Sequence, residues 1–97
     1  MITTNEIITL LKRFKAETAS RYGIKSMGLF GSYARNQQTE HSDIDIFVTL
    51  QNSDFFILEK IKEDLENLTQ SSIDVVNFRD SLRPLFKQNI LKDAILI

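Results

Sequence analysis

Asp43-Ile44-Asp45 sets two carboxylates one residue apart at the head of an apolar run that ends at Leu50. In an extended strand, residues two apart project from the same face, so Asp43 and Asp45 share one face while Ile44 and Ile46 take the other. With a rise of roughly 3.3 Å per residue, their Cα atoms lie about 6.6 Å apart, near enough for both side chains to reach one cation. Without a cation the two charges repel, and one carboxyl is pushed towards protonation. A hard divalent ion such as Mg2+ resolves the conflict. Two carboxylates leave its shell incomplete, which points to the phosphate oxygens of a nucleoside triphosphate as further ligands.

Asp74 interrupts another apolar segment, Ile73-Asp74-Val75-Val76, and a neighbouring strand would bring it beside the first pair. Three acidic groups on a sheet surface suit two-metal phosphoryl transfer, with the third completing a metal site or orienting the nucleophile. Upstream, Gly31 permits close backbone approach and Ser32 supplies a hydroxyl. The N–H groups of a short helix beginning there can hold phosphate oxygens. Arg35, one turn later, can reach the same phosphates. Each residue also has a plainer use: Asp43 and Gly31-Ser32 as caps or turns, Asp74 as an edge charge, Arg35 as a surface ion-pair partner. The ordered combination favours the site.

The elements that must position these residues follow from periodicity. Thr3-x-x-Glu6 has capping-box spacing, and Ile7, Leu11, Phe14 and Tyr22 recur at helical intervals up to Gly23, predicting a helix from about Thr4 to Tyr22. Ile24 to Phe30 reads as a buried strand, Ser32 to Gln37 as a short helix, and Asp43 to Val48 as a second strand. Ser53 is the expected cap of a helix whose apolar side is Leu58, Ile61, Leu65 and Leu68. Ile73 to Phe78 predicts a third strand. Asp80 or Ser81 is expected to cap a last helix that tolerates Pro84 in its first turn, with Leu82, Leu85, Phe86, Ile90 and Leu91 buried. Ala94 to Ile97 is a candidate terminal strand. The sum is an α/β (α+β) fold, a small mixed sheet flanked by helices. Arg79, Arg83 and Lys87 form a basic stripe, expected to be a solvated face or a contact. Phe55-Phe56 is expected in the core rather than at an interface, and His41 in a polar loop rather than on a metal.

A length of 97 residues predicts one domain, residues 1–97. An apolar fraction of 42% and a charged fraction of 26% fit a globular chain. Net charge is -1 with a pI near 5.8, so no overall positive field draws it to nucleic acid or anionic membrane. There is no cysteine, hence no disulfide or thiolate site. No apolar run is long enough to span a bilayer, and the first residues lack the pattern of a signal peptide. The cytoplasm is the expected compartment.

On these residues the chain resembles the nucleotidyltransferase superfamily that includes polymerase beta, and more closely its minimal, MNT-type members found as antitoxins beside HEPN-domain toxins. Gly31-Ser32, then residues 33–42, then Asp43-Ile44-Asp45 matches the Gly-Ser to Asp-x-Asp spacing of that superfamily. Ser72 to Val76 matches its acidic strand, and Asn89 to Ile97 its usual ending. The resemblance implies a polymerase-beta-like fold with Asp43 and Asp45 on Mg2+, Asp74 as third carboxylate, and Gly31 and Ser32 on the triphosphate. It implies attack of an acceptor hydroxyl on the α-phosphorus of ATP, with pyrophosphate leaving. In toxin-linked members the acceptor is a tyrosine of the HEPN ribonuclease, silenced by AMP transfer, so ATP and a HEPN toxin are the implied partners, the latter in a hetero-oligomer. Larger members use extra domains to grip base and acceptor, a task that here falls to a partner or an oligomer. Asn36 stands where relatives usually carry Gly, and Asn tolerates positive φ well enough to keep the turn. Two alternatives stay open: a non-catalytic module masking the toxin surface, and a transferase for a small-molecule acceptor.

Overall fold

In the computed structural model, which describes residues 2–97 and leaves Met1 outside, the chain begins on the predicted capping box. The Thr3 hydroxyl accepts from the Glu6 N–H at 3.1 Å, and the Glu6 carboxylate accepts from the Thr3 N–H at 3.0 Å. These bonds satisfy two of the free donors at the start of α1 (Thr4–Tyr22), which stops where Gly23 turns left-handed at φ 69°. There follow β1 (Ile24–Phe30), α2 (Gly31–Ala34), β2 (Ile44–Leu50), α3 (Phe55–Thr69), β3 (Ile73–Asn77), α4 (Pro84–Lys92) and β4 (Ile95–Leu96).

The strands form one mixed sheet in the order β3-β2-β1-β4. β1 runs antiparallel to both β2 and β4, and β2 runs parallel to β3. A parallel neighbour demands a crossover, which α3 supplies. Crossovers of this kind are right-handed. The return from β3 to β4 travels the opposite way across the sheet, so the same handedness sends α4 over the opposite face. On the α1 and α3 face, Ile7, Leu11, Ile61 and Leu65 pack on Met27, Leu29, Ile44, Ile46 and Val48 in the main core. On the other face Phe47 lies between Phe30 and Phe78, with ring centroids 6.2 and 5.7 Å away.

Several elements depart from the periodic reading. Asp54, not Ser53, caps α3, its carboxylate accepting from the Phe56 N–H at 2.8 Å. Ser53 instead accepts from the Asn77 side-chain amide at 3.0 Å. Neither Asp80 nor Ser81 caps α4. The helix starts at Pro84, because a residue before proline is driven from helical to extended backbone, and Arg83 sits at φ -55°, ψ 134°. Of the expected buried side of α4 only Ile90 is buried, whereas Leu85 and Leu91 are 70% and 54% exposed. Phe55 and Phe56 also lie outside the core, exposed and stacked edge to face on each other. Leu68 is half exposed because Thr69 takes the inward position and closes its hydroxyl on the Leu65 carbonyl at 2.8 Å.

Candidate active site

The site is assembled where β1 ends and β2 and β3 begin. Asp45 is the Cα partner of Phe30 on one side and of Asp74 on the other. Parallel partners in register point to the same face, and strands lie about 4.8 Å apart, so Asp45 and Asp74 stand side by side. Asp43 precedes Ile44 and shares the face of Asp45, away from the buried Ile44, Ile46 and Ile73. The sequence-predicted carboxylates are therefore brought to one corner of the sheet, on the face that α4 crosses.

Gly31 closes this corner. Its φ is 73°, in the left-handed region, and a Cβ added there would strike the Asp45 carboxylate. Backbone conformation and space both demand glycine. Ser32 follows in the first turn of α2, whose leading N–H groups have no intrahelical acceptor. The turn then leaves through Asn36 at φ 57°, the left-handed conformation that asparagine tolerates in place of glycine. This shortens α2 against the expected Ser32 to Gln37. The Thr4 hydroxyl donates to the Tyr33 carbonyl at 2.7 Å and lies 3.3 Å from Asn36 Oδ1, tying the turn to α1.

The electrostatics are those of crowded acids. Partial burial, then the charges of Asp74 and Asp43, push the Asp45 carboxyl above the usual carboxylate range, and the Arg35 guanidinium partly offsets them. Among the described residues no hydrogen bond or ion pair reaches the carboxylates of Asp43, Asp45 or Asp74. Nor is any group of three His, Cys, Asp or Glu side chains gathered tightly enough to cage an ion by itself. The three carboxylates form an open row of hard oxygen donors whose charge Arg35 offsets only in part. That donor set fits Mg2+, which keeps part of its shell for water and substrate phosphates rather than taking a closed protein cage.

Arg35, expected on phosphate or in a surface pair, is in a pair: its Nη1 donates to Asp93 Oδ2 at 3.3 Å, while its Nε donates to Gln37 Oε1 at 3.3 Å. Asp93 was not singled out by sequence reasoning. Nothing local marks it, and only the pairing of β4 with β1 brings the chain end back to this corner. Asp43 also lines, with Tyr33, Ser42, Gln70 and Ser72, a cavity of about 370 Å3 to which Asp45, Asp74, Gly31, Ser32 and Arg35 do not contribute. His41 is an exposed loop residue 3.6 Å from Glu40. From the basic stripe, Arg79 donates to the Asn77 carbonyl and Lys87 to the Asp80 carbonyl.

The family described as Polymerase beta, Nucleotidyltransferase matches residues 5–97. The chain is 36% identical over 98 residues to a Methanocaldococcus jannaschii protein provisionally named a protein adenylyltransferase, with all of both chains covered. It is 31% identical to the protein adenylyltransferase MntA of Thermococcus cleftensis, covering 100% of this chain and 98% of the relative. A solved crystal structure of a toxin-antitoxin with AMP-PNP superposes with a TM-score of 0.71 at 26% identity, over 98% of this chain and 72% of that one.

Proposed function

The chain belongs to the polymerase beta nucleotidyltransferase family, and from that premise we propose that it works as one minimal nucleotidyltransferase domain: an antitoxin that moves AMP from ATP to a tyrosine hydroxyl of a HEPN-type ribonuclease toxin. The observation that carries this reading is the in-register pair of Asp45 and Asp74, with Gly31 seated against the Asp45 carboxylate. The adenylyltransferase name of the Thermococcus cleftensis relative and the nucleotide-bearing toxin-antitoxin neighbour support it.

In this reading the Ser32 hydroxyl and the leading N–H groups of α2 hold triphosphate oxygens, and Arg35 adds a positive charge beside them. Asp43, Asp45 and Asp74 would hold two Mg2+ ions, which when bound supply charge neutralisation at the phosphates. Asp74 also orients the acceptor hydroxyl and receives its proton. The hydroxyl oxygen forms a bond to the α-phosphorus as the bond from that phosphorus to the bridging oxygen breaks, and pyrophosphate leaves with the electron pair. Because the protein holds the reactants in place, most of the acceleration comes from position and charge. ATP and Mg2+ are available in the cytoplasm, the proposed compartment. Among the described residues, no helix is long and apolar enough to cross a membrane.

The test is to incubate the chain with ATP, Mg2+ and the toxin candidate and weigh the toxin. A gain of AMP is expected; a complex that forms without any gain in mass overturns the reading. A second reading, masking of the toxin surface without catalysis, draws on the exposed Phe55, Phe56, Leu85 and Leu96. Full neutralisation by the Asp43→Asn/Asp45→Asn double variant would favour masking.

A further inference from the structure

Asp93 lies 58 residues beyond Arg35 in sequence, yet their side chains meet at 3.3 Å. Both ends of this contact are held by the fold. Arg35 is the C-terminal cap of α2, its own N–H bonded to the Gly31 carbonyl at 3.2 Å. Asp93 caps α4 three residues after the fully buried Ile90 and two before β4, which pairs with Gly28 and Leu29 just ahead of the Gly31-Ser32 corner. A surface pair free to drift would not be anchored from three directions. Two of the five guanidinium N–H donors are engaged, by Gln37 and Asp93. The others have no partner among the described residues and remain for phosphate oxygens.

We propose that Asp93 is a positioning residue for the nucleotide: it holds the Arg35 guanidinium beside the Gly31-Ser32 corner with its remaining donors turned to the triphosphate. This rests on the nucleotidyltransferase reading and deepens it. An arginine fork is useful only when aimed, since its strength over a point charge lies in planar, paired hydrogen bonds.

The experiment measures the affinity of the full chain for a Mg2+-bound ATP analogue with a non-cleavable α,β linkage, alongside AMP transfer to the toxin. Asp93→Asn should weaken analogue binding and raise KM for ATP about 3- to 10-fold with kcat within about 2-fold, as loss of an aligned charged hydrogen bond does. Asp93→Glu should recover most of the loss. Arg35→Ala/Asp93→Ala should bind no more weakly than Arg35→Ala alone, the signature of one shared interaction. The pair is partly exposed to solvent, so melting temperatures should stay near wild type in all of these variants. Unchanged affinity in Asp93→Asn, tighter binding, or fully additive losses in the double variant would overturn the proposal while leaving wild-type transfer intact. A wild-type chain that binds toxin but neither nucleotide nor AMP acceptor would instead sink the enzymatic reading and this proposal together.

Discussion

Asp45 carries a charge that its surroundings oppose, through burial first and then through Asp74 and Asp43. Its folded carboxyl therefore keeps its proton to a higher pH than the same group in the unfolded chain. Between those two values the fold binds more protons than the unfolded state, so stability falls as pH rises through that window. Below both the cost is absent; above both it is fully present. Asp45→Asn should accordingly raise the stability of the metal-free protein at pH 7 by about 0.5–1 kcal/mol once solvent screening is allowed for. That gain should shrink as pH drops into the carboxylate range, and AMP transfer should be lost. Thermal melts of both proteins across pH, with and without Mg2+ and ATP, check it; equal melting at pH 7 would contradict it. Gly31→Ala tests the same corner from the other side. A side chain at φ 73° aimed at the Asp45 carboxylate must strain the backbone and displace the acid. The expected cost is about 1–3 kcal/mol, with transfer falling at least about tenfold, read from denaturant unfolding and initial rates.

At the scale of elements, what was legible depended on how local the cause was. α1 could be read to its ends because Thr3, Glu6 and Gly23 act within a turn of the helix boundary. Asp43 and Asp45 share a face by strand alternation alone, whereas the register that sets Asp74 opposite Asp45 depends on how α3 returns the chain. The partnership of Arg35 and Asp93 depends on the whole path of α4 and β4, and no window of sequence holds it. α4 departs from its apolar periodicity for a physical reason. Periodicity reports which residues could face a core, but α4 is a single short helix outside the main core cluster, and it is fully buried at only one point. That point is Ile90, 0% exposed. Ile90→Ala should therefore cost about 2–4 kcal/mol, the range for truncating a buried aliphatic side chain, and should loosen the Asp93 end of the helix. Leu85→Ala and Leu91→Ala should each stay within about 0.5 kcal/mol. Denaturant midpoints for the three variants decide between this view and an apolar side buried along its length, which would make all three comparably damaging.

The whole molecule is a slab of 33 × 31 × 18 Å with a radius of gyration of 12.5 Å. Two long helices thicken one face of the sheet, while the face that carries the carboxylates is crossed by the 9-residue α4. Asp43 and Asp74 are exposed there. Water at an open site weakens every interaction between these groups and a triphosphate, because charges attract far less in a medium of high dielectric constant. A partner laid over this face would exclude that water and strengthen the same contacts without any new residue from this chain. If the proposed function holds, the toxin should therefore act as part of the nucleotide site as well as its target. Affinity for the non-cleavable ATP analogue should rise about tenfold, or about 1.4 kcal/mol, when the chain is bound to toxin whose acceptor tyrosine has been replaced by phenylalanine. Binding equilibria are reciprocal, so saturating analogue must tighten the hold on toxin by the same factor. Calorimetry run in both orders tests this directly. Equal analogue affinity for the free chain and the complex would mean that the open face is already sufficient, and that toxin contributes only the hydroxyl.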